Sequence, residues 1–132
     1  MKKQRILNDK VAEPAAKLWS NCMRVGDTVY IAGLTARKAN GETLAGDNEY
    51  EQAHYIFAKF SEYIKAAGGC MDDIVQMIIY VTDMSKNREV WRAREEFFNG
   101  DFPTCTLVEV SKLAKPEILV EISATARLGC SE

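Results

Sequence analysis

The residues able to carry chemistry are few. Four cysteines, Cys22, Cys70, Cys105 and Cys130, and a single histidine, His54, are the only thiol and imidazole groups in the 132-residue chain. No Cys-x-x-Cys pair occurs, and one histidine cannot complete a ligand set with cysteines so dispersed, so the spacing gives no metal site. A Cys105 thiolate would be a strong nucleophile if its pKa were lowered. His54, however, stands mid-helix between Tyr50 and Phe57, reads as a packing residue, and nothing brings it to Cys105. Asp72-Asp73 reads as a turn ahead of a strand rather than a metal pair, and Gly41 and Gly46 lack the strand-Gly-x-Gly-helix setting of a phosphate cradle. Glu121 remains, between Val120 and Ile122 on a β-rich run. A lone carboxylate of this kind can act as general base and then as general acid, or it can simply be an outward-facing strand residue.

Composition narrows the classes. With 17 Lys plus Arg against 19 Asp plus Glu, the formal charge is −2, so no nucleic-acid partner is expected without strong segregation of charge. The apolar stretches 74–81 and 119–122 are too short to cross a bilayer, so no membrane partner is expected. The opening Met1-Lys2-Lys3-Gln4-Arg5 is basic without a following apolar region, which reads as cytoplasmic and implies reduced, mostly buried thiols. At 47% apolar, residues 1–132 are expected to form a single domain around one core.

The elements that must position these residues follow from periodicity. Leu18 to Arg24 and Val29 to Ala32 read as a hairpin about the Gly26-Asp27 turn, and 38–47 reads as a loop. Asp47 or Asn48 then caps a helix whose stripe Tyr50, Ala53, Phe57, Phe60, Ile64 and Ala67 is spaced 3, 4, 3, 4, 3 and ends at Gly68-Gly69. Ile74 to Thr82, apolar on both faces, is expected at the centre of the sheet. Val90, Trp91, Arg94, Phe97 and Phe98 mark a shorter helix ending at Asn99-Gly100, with Trp91, Phe97 and Phe98 in the core and 92–96 a solvated charged face. Thr104 to Val110 and Ile118 to Ala126 are expected to pair as the last two strands. The order β-β-α-β-α-β-β predicts an α+β fold, a mixed sheet with both helices on one face. Met77, Ile79, Val81, Leu107 and Val120 cannot all face two helices on this reading, which predicts a bare sheet face buried by self-association.

Four segments carry a family resemblance over nearly the whole chain: Trp19-Ser-Asn-Cys-Met-Arg-Val-Gly26-Asp-Thr-Val-Tyr-Ile-Ala-Gly33; Ala66-Ala-Gly-Gly-Cys-Met-Asp-Asp-Ile-Val75; Val81-Thr-Asp-Met84; and Phe102-Pro-Thr-Cys-Thr-Leu-Val-Glu-Val110 with Leu119-Val-Glu-Ile122. The chain resembles the RidA (YjgF) family of enamine/imine deaminases, also called L-PSP endoribonucleases, of chorismate-mutase-like fold. The resemblance implies a homotrimer with its sheets around a central axis. A small enamine or imine acid would bind in the inter-subunit clefts and be hydrolysed to ammonia and a keto acid without metal or organic cofactor.

Carried over residue by residue, the family's Tyr-Ser-Gln falls on Trp19-Ser20-Asn21, which keeps an aromatic group and loses its hydroxyl; Trp19 is then either a cleft wall or strand packing. Gly33 matches the glycine that lets backbone approach the ligand, and Glu121 matches the glutamate that positions water. Thr106 and Leu107 complete the implied substrate-binding set. The family's carboxylate-binding arginine falls on Cys105, which enters the catalytic set as a thiol, and a thiol cannot reproduce a bidentate guanidinium. Either a cation from Lys17, Arg24, Arg37 or Lys112 replaces it, or the ligand carries no carboxylate there. The resemblance thus implies a deaminase of altered specificity, with a non-catalytic metabolite-binding trimer as the alternative.

Overall fold

A computed structural model describes residues 1–131. The apolar stripe becomes α1 (Glu49–Ala67). Asn48 is its cap, accepting the Glu51 N–H at 2.9 Å, and Glu49, Glu51 and Lys65 sit at the ends that suit the helix dipole. Gly68, at φ +100°, turns the chain out of the helix in a conformation that an L side chain resists. Ala53, Ile56, Phe57, Phe60, Tyr63 and Ile64 form the fully buried face.

The sheet has six strands in the order β1-β2-β3-β6-β4-β5, where β1 is Lys3–Arg5, β2 Cys22–Val25, β3 Thr28–Leu34, β4 Ile74–Val81, β5 Thr104–Glu109 and β6 Val120–Arg127. The Gly26-Asp27 hairpin is present, but its first strand starts at Cys22, with Leu18 at the end of a preceding turn and Trp19 in the irregular segment that follows it. The last two strands do not pair with each other. Because α2 (Asn87–Glu95) intervenes, β4 and β5 form a crossover and run parallel, and β6 enters antiparallel between β3 and β4. Strand β6 alternates buried Val120, Ile122, Ala124 and Ala126 with half-exposed Glu121, Ser123 and Thr125, the pattern of an interior strand with one covered face. The centre of the sheet is therefore β3 and β6, and β4 lies one strand from the edge. Strand β1, wholly exposed and polar, has no apolar alternation to announce it and holds to β2 through its backbone.

Both helices cover one face. Helix α2 docks on α1 through Val90 and Ala93 and stops at Glu95, so that Phe98 packs its ring 5.9 Å from Phe57 from the following turn. Trp91, next to Val90 in sequence, points away and is 41% exposed rather than in the core. The uncovered face is composed differently from the expectation. Met77, Ile79, Val81 and Val120 all lie buried under the helices, and Leu107 shares their side through its pairing with Ile79. The open side carries Tyr30, Ile78, Tyr80 and Val108 among Thr104, Thr106, Ser123 and Thr125, a half-polar surface.

Candidate functional site

Strand β3 shifts register against β6 between Ile31 and Leu34, and within this irregularity the backbone of Gly33 packs against the Glu121 side chain. A Cβ at Gly33 would overlap Glu121 Oε2 and lie 3.1 Å from its Cδ, so the missing side chain is the space the carboxylate occupies. Both residues line a cleft of about 520 Å³. Half-burial raises the pKa of Glu121 above the usual carboxylate range, and the charge of Arg37 offsets part of that rise.

The opposite wall is a hydrogen-bonded chain. The Trp19 indole N–H donates to Asn21 Oδ1 at 2.9 Å, and Asn21 Nδ2 donates to the Ala12 carbonyl at 2.9 Å and to the Tyr63 hydroxyl at 3.1 Å. Tyr63 in turn donates to the Glu13 carboxylate, which Arg5 pairs at 3.0 Å. Trp19 thus lines the cleft from the irregular segment ahead of β2 and is no part of a strand.

Two cations reach the cleft. Lys59, on the buried face of α1, donates to the carbonyls of Thr35 at 2.7 Å and Arg37 at 3.1 Å. Burial foremost, with the nearby Arg37 charge, brings its pKa down to about 8. The sequence reading missed Lys59, although its spacing from Ile56 and Tyr63 places it on the buried stripe. Arg37 starts a small hairpin closed by Ala45 N–H to Ala36 O and Lys38 N–H to Thr43 O, each 2.8 Å. The other expected replacements are elsewhere: Arg24 is spent on the carbonyls of Gly26 and Ala67, and Lys17 and Lys112 are exposed outside the cleft.

Cys105, Thr106 and Leu107 stand on β5 and do not line this cleft within one chain. Glu121 is opposite Tyr80 and Cys105 opposite Met77, which separates them by two strands and three residues, roughly 14 Å, on opposite faces. Partial desolvation of its sulfur pushes the Cys105 thiol up, although the residue as a whole is exposed, against the downward pull of the Arg94 charge, so it is a neutral thiol rather than a poised nucleophile. Arg94, expected in a solvated face, instead leans in beside Cys105 and the Phe102 ring. Cys22 is buried with its pKa raised to about 12, whereas Cys70, Cys105 and Cys130 are exposed, contrary to the expectation of mostly buried thiols. His54 packs against Phe97, and the Asp73 carboxylate accepts the backbone N–H groups of Cys70 and Ser131, so the Asp72-Asp73 pair serves a turn.

A family model described as endoribonuclease L-PSP matches residues 10–128. The chain belongs to this family, the YjgF/RidA family. Its relatives include a RutC family protein of Pyrococcus abyssi, 28% identical over 127 residues that span 96% of this chain and 98% of that one. Among solved structures, a protein of unknown function from Pseudomonas aeruginosa is 35% identical with a TM-score of 0.85, covering 97% of this chain and 94% of its own. RidA from an Antarctic Psychrobacter is 28% identical with a TM-score of 0.85, covering 95% and 99%. Among the described residues of this YjgF/RidA chain, no helix is long and apolar enough to cross a membrane.

Proposed function

We propose that this cleft hydrolyses a small enamine or imine acid to ammonia and a keto acid. The observation that carries the reading is Glu121, a half-buried carboxylate of raised pKa set over the side-chain-free surface of Gly33 inside a cleft. The imine nitrogen takes one proton from solvent, and ionised Glu121 takes a proton from water as the water oxygen bonds to the iminium carbon, giving a neutral carbinolamine. Glu121 then returns its proton to the nitrogen, the C–N bond breaks as the hydroxyl proton passes to solvent, and ammonia leaves a carbonyl behind. Trp19 forms an apolar wall for the ligand.

The uncovered face with Tyr30, Ile78, Tyr80 and Val108 supports a trimer closed around these sheets. In that assembly a neighbour's β5 supplies Cys105, Thr106 and Leu107 to the cleft, with Cys105 as a neutral contact. The neutral thiol at the family's arginine position favours one alternative, a trimer that binds a metabolite without turning it over.

The test is ammonia and keto-acid release from 2-aminoacrylate generated in situ by a pyridoxal-phosphate lyase. Acceleration by the wild type that is absent in Glu121→Ala supports the deaminase. An inert wild type alongside an active Cys105→Arg supports the binding trimer.

A further inference from the structure

The cleft contains a guanidinium with no protein partner for its ligand-binding edge. Arg37 Nε is buried and makes no hydrogen bond among the described residues. The ion pairs closer than 4 Å in those residues are Arg5–Glu13, Lys10–Glu62 and Arg92–Glu89, so Arg37 belongs to none of them. Yet it lines the same cleft as Glu121 and lies near enough to act on its charge. Nη1 and Nη2 likewise make no hydrogen bond among the described residues and, unlike Nε, are not sealed from the surface, so the outer edge of the guanidinium offers the end-on fork that matches the two oxygens of a carboxylate.

The surroundings favour an anion. Lys59 holds the carbonyls of Thr35 and Arg37, which fixes the backbone carrying the guanidinium and adds a second positive charge behind it. Of the two carboxylates in the cleft, Glu13 is engaged by Arg5 and Tyr63, while Glu121 is held over Gly33. Neither satisfies the Arg37 fork.

We infer that Arg37 is the anion-binding residue of the cleft and holds the carboxylate of a small 2-imino or 2-oxo acid end-on through its two Nη groups, with Lys59 as a positioning residue. The anchor therefore comes from the hairpin following β3 rather than from β5, and position 105 is free to be a thiol. The identity of the acid rests on the deaminase reading; the binding of its carboxylate does not.

The experiment is calorimetric titration of the full chain with pyruvate and with pyruvamide, which differ in charge at nearly constant shape. Wild type is expected to bind pyruvate at least about tenfold more tightly than pyruvamide. Arg37→Gln should abolish that preference by weakening pyruvate alone, and Arg37→Lys should restore part of it. Equal affinity for the two compounds in wild type overturns the assignment without recourse to any variant. So does undetectable pyruvate binding, or a preference that survives Arg37→Gln and disappears in Arg94→Gln, since Arg94 Nε is also buried and unpaired. Pyruvate held through Arg37 by a chain that releases no ammonia refutes the deaminase and leaves this assignment standing. Ammonia release with Arg37→Gln binding pyruvate normally does the reverse.

Discussion

Gly33→Ala separates the site's geometry from its stability. Gly33 is not among the glycines at positive φ, so alanine meets no backbone strain. Its Cβ would overlap Glu121 Oε2 and stand 3.1 Å and 3.2 Å from Cδ and Cγ, where ordinary contacts are about 3.5 Å or more. The obstacle is the far end of a side chain, so it yields: the carboxylate moves by about 1 Å at an off-rotamer cost of about 0.5–1.5 kcal/mol. Loss of glycine from the unfolded chain returns about 0.4–1 kcal/mol, so the net change in stability should stay within about 1 kcal/mol. Activity should suffer far more, because a misplacement of about 1 Å at a reacting centre can cost about 100-fold. Urea unfolding and initial rates of ammonia release at low enamine concentration measure the two quantities on the same preparation. A fully active Gly33→Ala, or one destabilised by more than about 3 kcal/mol, would refute the placement of Glu121 over Gly33.

Other consequences follow from the same residues. Glu121 must be ionised to accept a proton and its pKa is raised, so kcat/KM should fall on acidification at a higher pH than for an ordinary carboxylate, and a rate that holds level until the ordinary carboxylate range would count against Glu121 as the base. Lys59 has a folded pKa of about 8 against 10.5 unfolded, so between those values the unfolded chain binds more protons and stability rises with pH. The wild-type minus Lys59→Met difference in urea stability should therefore grow in favour of wild type by up to about 3 kcal/mol from pH 7 to pH 10; a flat difference would count against a buried, charged Lys59. Asn48→Ala removes the acceptor for the Glu51 N–H and should cost about 1 kcal/mol of unfolding free energy, whereas Asp47→Ala should cost little.

What could be read in the sequence was what repeats locally. The 3,4 spacing from Tyr50 to Ala67 and the Gly68 stop specify α1, and the Gly26-Asp27 turn specifies the first hairpin. Partnering among distant strands was not legible, because β5 and β6 have the same composition whether they pair together or with β4 and β3; only the crossover through α2 decides it. The face assignment failed for the same reason, since Met77, Ile79 and Val81 are identical in type to residues that face a partner. At the site, Gly33, Glu121 and Trp19 were named and do meet in one cleft, while Lys59 hid inside a stripe read only for its apolar members. Arg37 was one of several candidate cations, and it took the pairing of the 36–45 hairpin to bring it to Glu121's cleft.

The most direct measurement is the lifetime of 2-aminoacrylate, released as a pulse and trapped at intervals, as a function of protein concentration. The account expects the decay rate to rise in proportion to wild-type protein and to return to the spontaneous rate with Glu121→Gln. A lifetime that is unchanged by wild-type protein, or shortened equally by Glu121→Gln, would contradict it.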